Sequence, residues 1–281
     1  MKCRMRYTLK RTCVSPPVAI IDIFMNHIKA IGFDLFNTLI TLEPTTLDAA
    51  MSNLFSSLLD SGFFLRDKPF MDAYGQAALK HIKESRKTGK ETHNRYWLSE
   101  ALYTQGYPTS PDDPRIAKGV EAYFTAFFHG CRLIPDTKDM LRSLKKKYRL
   151  GLLTNFTHPP AVLKIIDALG LEPYFDVVLI SGELGYRKPH PLVFRSLTDL
   201  LKVKKHQLIY VGDDPEPDII GAWRAGLQPV WTTCVQDQKI PVARGIFSTG
   251  DDTPDFQVPR ISTWKDLFSL LDGEDGGLRA G

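Results

Sequence analysis

The sequence predicts an α/β fold: a doubly wound parallel sheet interrupted by an all-helical insertion. From about residue 131 onward, short apolar runs alternate with amphipathic helical segments, which is the pattern of a parallel sheet covered by helices on both faces. One further apolar run, IKAIGF at 28–33, stands far upstream and ends at an acid, Asp34. Between these regions the texture changes, and apolar residues recur at helical spacing throughout 44–130. At 281 residues and 43% hydrophobic content, the chain can bury a sizeable core.

Taken in order, 28–33 reads as a buried strand delivering Asp34 at its carboxyl end. Four helices follow: LDAAMSNLFSSLLDSG, KPFMDAYGQAALKHIKES, NRYWLSEALYTQG and RIAKGVEAYFTAFFHG, punctuated by Gly62, Gly89, Gly106 and the segment 108–114. Thr92 suits the N-cap of the third, with Tyr96 and Trp97 in the core of the insertion. DTKDMLRSLKKKY is a helix for which Asp136 or Thr137 suits the N-cap, and Lys145, Lys146 and Lys147 are its solvated end. Strand RLGLLTN, helix HPPAVLKIIDALG, strand FDVVLIS, helix PLVFRSLTDLLKV, strand QLIYVGDD, helix PDIIGAWRAG and strand QPVWTT then alternate, with Gly170 and Gly226 ending two of the helices. Residues 236–260 read as a polar loop, and ISTWKDLFSLL as a last short helix. The expected units are an arm at 1–27, a core formed by 28–43 and 131–271, the helical block at 44–130, and a flexible tail at 272–281.

The charge is 36 basic against 32 acidic residues, but the excess is local. Lys2, Arg4, Arg6, Lys10 and Arg11 face only Asp22 within residues 1–24, leaving 31 of each sign after them. A neutral body argues against a nucleic-acid surface. The arm has three readings: a disordered extension, which is preferred, an organellar transit peptide, or a stretch upstream of a start at Met25. Cys3, Cys13, Cys131 and Cys234 include no Cys-x-x-Cys pair, which excludes a zinc ribbon and a dithiol redox motif. No apolar stretch approaches a membrane span, so a cytoplasmic protein that is a monomer or homodimer is the expectation.

Right-handed crossovers place the carboxyl ends of all the strands on one rim, where such folds bind ligands. Asp34, Thr154 with Asn155, Lys188, and Asp213 with Asp214 and Asp218 converge there. Each has an ordinary structural reading as an N-cap, a turn or a surface lysine, but their coincidence at four strand ends favours a site. Asp34, Asp213 and Asp218 offer hard oxygen ligands for Mg²⁺. Lys188 can hold Asp34 and a phosphate oxygen, the Thr154 hydroxyl can bind further oxygens, and Asp34 can act as a nucleophile.

FDLFNTL, LLTN, RKPHPLVF and VGDDPEPDIIGAWRAG, in this order, resemble the four motifs of the haloacid dehalogenase-like (HAD) hydrolase superfamily. The position of the helical block resembles the subclass with a cap between the first two motifs and a Rossmann-like core. The resemblance implies that Asp34 is the nucleophile of an aspartyl-phosphate intermediate, and that Thr154 and Lys188 bind the transferred group. It also implies that Asp34, the carbonyl of Phe36, Asp213 and Asp218 hold Mg²⁺. The substrate would be a small phosphoester, with Asn155, His93 and Arg95 as candidate substrate-binding groups.

Phe36 departs from the phosphatase pattern, in which a second Asp two residues after the nucleophile moves a proton. A phenyl ring cannot do so, and losing such a group costs on the order of 10²–10⁴ in rate. An aromatic residue here resembles the metal-independent 2-haloacid dehalogenases, whereas Asp213, Asp214 and Asp218 favour a metal-dependent phosphatase. A HAD-fold binding or regulatory protein with weak turnover is the third reading.

Overall fold

The structure, a computed structural model, describes residues 27–243 and 253–273. The expected arm, apart from His27, lies outside the described residues, as do 244–252 of the expected loop and 274–281 of the expected tail. The chain runs β1 (Ala30–Phe33), β2 (Ile40–Leu42), α1 (Thr46–Asp60), α2 (Asp67–Thr88), α3 (Asn94–Thr104), α4 (Pro114–Gly130), β3 (Cys131–Leu133), α5 (Thr137–Leu144), β4 (Arg149–Thr154), α6 (Pro159–Ala168), β5 (Val177–Ile180), α7 (Ser181–Leu184) and α8 (Pro191–Leu200). It continues through β6 (Leu208–Gly212), a π-helical turn (Pro215–Ile220), α9 (Gly221–Ala225), β7 (Gln228–Thr232), α10 (Cys234–Asp237), β8 (Arg260–Ile261) and α11 (Trp264–Asp272).

Six strands form one parallel sheet in the order β5-β4-β1-β6-β7-β8. β1 is central because its four residues are buried on both faces, and only a central strand can use an unbroken apolar run. Ile31 and Phe33 face one apolar layer, which includes Leu150, Leu152, Ile165 and Trp264. Ala30 faces the other, built from Phe194, Leu197, Leu208 and Tyr210. The chain proceeds from β1 outward to β4 and β5, then returns to β6 on the opposite side. The order therefore reverses about β1, and the crevice at that reversal opens over Asp34.

All four helices expected between 44 and 130 are present, with α1 packed on α4 and α2 on α3. Two short strands that the sequence pattern did not predict mark where the insertion leaves and rejoins the sheet. β2 and β3 pair antiparallel, Ile40 opposite Leu133 and Leu42 opposite Cys131, and the Glu43 N–H donates to the Gly130 carbonyl at 2.9 Å. Three residues per strand are too few for a period of two to be read.

Several local expectations are corrected. Asp136 precedes α5 with a left-handed φ of 62° and makes no side-chain cap bond. Thr137 instead donates its hydroxyl to the Leu39 carbonyl at 3.3 Å and accepts from the Trp264 indole at 3.2 Å. α3 is capped by His93, not Thr92, whose hydroxyl pairs with Ser85 at 3.0 Å. Trp97 is buried as expected, whereas Tyr96 is exposed. The segment after β6 is a π-helical turn before it becomes α9, and it ends at Gly226 with φ 84°. Cys131 and Cys234 are buried free thiols. Among the described residues, no helix is long and apolar enough to cross a membrane.

Candidate active site

By strand register, Asp34 lies level with Leu153 and Gly212, and Thr154 and Asp213 come one residue beyond. Lys188 enters from the loop between α7 and α8. Its ammonium donates to Asp34 Oδ1 at 2.6 Å, Asp218 Oδ1 at 2.6 Å and the Tyr210 hydroxyl at 2.9 Å. An ammonium has three protons, so all three are used. The Tyr210 hydroxyl donates onward to the Leu153 carbonyl at 2.8 Å, leaving its oxygen to accept from Lys188. Asp218 reaches this point because residue 212 has no side chain: a Cβ there would lie 2.4 Å from the Asp218 carboxyl carbon. The other Asp218 oxygen accepts from the Asp214 N–H at 3.0 Å. Asp213 is fixed by its carbonyl, which accepts from the Trp231 indole at 3.0 Å, and by a long 3.4 Å hydrogen bond from Thr38.

Lys188 is the cation that the structure pairs with this group of four carboxylates. Burial pushes the Asp34 carboxyl up to about 6; Lys188 opposes that rise and Asp218 adds to it. Burial, then Asp34, Asp218 and Asp214, hold Asp213 well above the usual carboxylate range, and burial together with Asp218 pushes Asp214 up to about 7. Burial disfavours the Lys188 charge, but Asp218 and Asp34 outweigh it and hold the ammonium pKa well above its ordinary value. Carboxylates raised together are short of positive charge. Asp34, Asp213 and Asp218 each offer an oxygen, and these atoms lie within 4.8 Å of one another. Asp214 Oδ1 is buried with no hydrogen-bond partner. This hard-oxygen, charge-deficient set fits a divalent cation such as Mg²⁺.

The other candidates are placed differently. Thr154 is buried at the end of β4. Both polar atoms of the Asn155 side chain are engaged with the Lys188 backbone: Oδ1 accepts from its N–H at 2.8 Å, and Nδ2 donates to its carbonyl at 3.0 Å. Phe36 stacks on Phe156 at 5.3 Å, and Phe156 meets Phe124 and Phe127 of α4. Arg95 pairs with Asp112 at 2.7 Å and does not join the carboxylates. His93 Nδ1 accepts from the Arg95 N–H, so its proton sits on Nε2 and is donated to His158 Nδ1 at 3.1 Å. His158 must then be protonated on Nε2, which donates to Glu121 at 2.9 Å. Burial, then His158, lowers His93 to about 4, so both rings are neutral near pH 7.

Tyr210 was not singled out from the sequence, although a tyrosine inside the apolar strand QLIYVGDD signals a hydroxyl that needs a buried partner.

A family profile described as haloacid dehalogenase-like hydrolase matches residues 28–226. The chain belongs to the haloacid dehalogenase-like hydrolase family. This HAD-like hydrolase is 31% identical over 203 residues to a ribulose-1,5-bisphosphate 5-phosphatase of Halopiger xanaduensis, covering 72% of this chain and 83% of that protein. It is 31% identical over 264 residues to N-acylneuraminate-9-phosphatase of Mus musculus, covering 88% and 96%. Among solved structures, it shares its fold with a 2-haloacid dehalogenase from Pseudomonas syringae (TM-score 0.62, 24% identity, 87% and 98% covered). It also resembles a HAD phosphatase from Thermococcus onnurineus (TM-score 0.57, 22% identity, 88% and 99% covered). A fold common to a dehalogenase and a phosphatase does not choose between their chemistries.

Proposed function

We propose that this HAD-like hydrolase is a Mg²⁺-dependent phosphatase of a small phosphorylated metabolite, with Asp34 as the nucleophile. The observation that carries the reading is the cluster of Asp34, Asp213 and Asp218, whose oxygens lie within 4.8 Å of one another, with Lys188 paired to Asp34 and Asp218. A site for metal-free halide displacement has no need of so many buried acids. The phosphatase activities of the two relatives support the same choice. Asp34, Asp213, Asp218 and the carbonyl of Phe36 would hold Mg²⁺, which supplies positive charge to the phosphoryl oxygens and keeps Asp34 ionised.

Asp34 attacks phosphorus, forming an aspartyl-phosphate and releasing the alkoxide. Water then attacks the phosphorus, returning Asp34 and phosphate. Thr154 binds the transferred group, and Lys188 joins it by exchanging one of its three hydrogen bonds for a phosphoryl oxygen, while Asn155 holds the Lys188 backbone in place. Residues 44–130 act as the cap over a core of 28–43 and 131–271. At Phe36 the ring links the site to the aromatic residues of α4 and moves no proton. Aryl and acyl phosphates, whose leaving groups are weakly basic, are therefore the favoured substrates.

Phe36 also keeps a second reading open, a metal-independent 2-haloacid dehalogenase, because halide leaves without a proton. Hydrolysis of p-nitrophenyl phosphate and of 2-chloropropionate, each with Mg²⁺ and with EDTA, separates the two. Phosphate release that requires Mg²⁺ and disappears in Asp34→Asn is expected. Metal-independent halide release would replace this reading with the second. Silence on both, across a panel of phosphoesters, would leave a binding protein.

A further inference from the structure

The loop joining α2 to α3 docks on the segment just before Lys188. The Glu91 N–H donates to the Gly185 carbonyl at 3.0 Å, and the Arg187 N–H donates to the Gly89 carbonyl at 2.9 Å. An antiparallel bridge joins Lys90 to Tyr186 between them. Gly89 permits this approach: its φ is +71°, and a Cβ would lie 2.7 Å from the His190 ring.

The Glu91 side chain, only 1% exposed, points into the junction. Oε1 accepts from Arg187 Nη1 at 3.3 Å and from the Thr92 N–H at 3.0 Å. Oε2 accepts from the Ser181 hydroxyl at 2.6 Å. Because the single hydroxyl proton of Ser181 is directed to Glu91, its oxygen is free to accept, and the Phe156 N–H donates to it at 2.8 Å. One carboxylate of the insertion thus grips two rim loops. Through Ser181 it holds the loop that follows Thr154 and Asn155. Through Arg187 it holds the residue preceding Lys188, whose own backbone is clasped by Asn155 from the other side.

We infer that Glu91 is a positioning residue: docking of the helical insertion, read through this carboxylate, sets the Thr154–Phe156 and Arg187–Lys188 loops in register with Asp34. The inference rests on the hydrolase reading of the rim. Glu91 touches neither the carboxylate group nor Lys188 Nζ, so its loss displaces working groups without removing one. A displacement of the order of 1 Å at such groups costs up to ~10²-fold in rate.

The test uses the full chain with Mg²⁺. Glu91→Gln keeps the shape but forfeits charge and one acceptor; Glu91→Ala removes the grip; Glu91→Asp keeps the charge. Amide exchange is followed at Phe156 and Arg187, with Val211 of β6 as the reference for the global fold. Exchange at Phe156 and Arg187 at least ~10-fold faster in Glu91→Ala, with Val211 unchanged, is expected, because both amides donate into this junction. The kcat for p-nitrophenyl phosphate should fall ~10–100-fold with KM within ~3-fold, and Glu91→Asp should recover part of it. Unchanged exchange at the two amides overturns the inference, as does faster exchange with unaltered kcat. If Glu91→Ala does not fold, Glu91→Gln is judged by the same criteria. If the parent releases no phosphate, the phosphatase reading fails separately, and the exchange result alone upholds or overturns the grip.

Discussion

Removing Mg²⁺ and raising the pH should destabilise this protein through Asp34. Its carboxyl pKa is raised from 3.8 to about 6. A carboxyl raised in the folded state stabilises that state below its unfolded value, and the contribution is lost as pH rises through the folded value. At ~1.4 kcal/mol per pH unit, the full loss is roughly 3 kcal/mol, of which about half falls between about pH 5 and about pH 8. His93, lowered to about 4, acts in the opposite sense below about pH 6.5, where the unfolded chain takes up its proton. The comparison is therefore between the parent and Asp34→Asn, which share His93; Asp213 and Asp214, which the Asp34 charge helps to raise, are relieved in the variant and add to the difference in the same direction. In EDTA, Asp34→Asn should gain roughly 1–2 kcal/mol on the parent between those two pH values. That amounts to ~3–6 °C in melting temperature by calorimetry. Mg²⁺ should raise the melting temperature of the parent more at the higher pH, since it binds the deprotonated carboxylates. A parent-to-variant difference that is equal at both pH values in EDTA would refute the reasoning, as would a pH-independent Mg²⁺ increment.

Lys188→Met removes the hydrogen bonds to Asp34, Asp218 and Tyr210 and strands buried carboxylates. A loss of ~3–5 kcal/mol in urea denaturation at neutral pH is expected, together with loss of turnover; full stability in the variant would contradict the pairing. Gly212→Ala forces Asp218 aside, because the new Cβ falls 2.4 Å from its carboxyl carbon. Mg²⁺ titration should show affinity reduced ~10–100-fold, and unchanged affinity would remove Asp218 from the metal site. Phe36→Asp, at the cost of the stack on Phe156, should raise kcat toward alkyl phosphates, with ~10²–10⁴-fold as the ceiling. A folded variant with lower kcat would show that the ring itself serves the reaction.

The rim was legible in the sequence because Asp34, Thr154 and Asp213 lie at strand ends and Lys188 and Asp218 on the connections that leave such ends, and the order of strands and helices brings those ends together. Asp34, Lys188, Asp213 and Asp218 meet for that reason. What failed to show were contacts set by residues far apart in the chain. Asn155 reads as a free amide until Lys188, 33 residues on, occupies both its atoms. Glu91 reads as a polar residue in a loop until Ser181 and Arg187 close around it. Thr92 is the better cap by propensity, yet its hydroxyl pairs with Ser85 and the His93 ring caps the helix instead. Asp136 shows the same limit: backbone geometry at φ 62° turned a good capping residue away from its helix.

The β2–β3 ladder has a consequence for how the chain can change over generations. Leu42 and Cys131 are register partners, so the outgoing and returning chains are fastened side by side before any helix begins. The length and sequence between them can then vary while the ends delivered to the sheet stay at one spacing. Enlarging such a loop costs only ~0.6 kcal/mol of closure free energy per doubling. A lineage built on this neck can exchange what it encloses while the parallel sheet is inherited intact, provided that the new segment supplies its own hold on the loops beside Lys188.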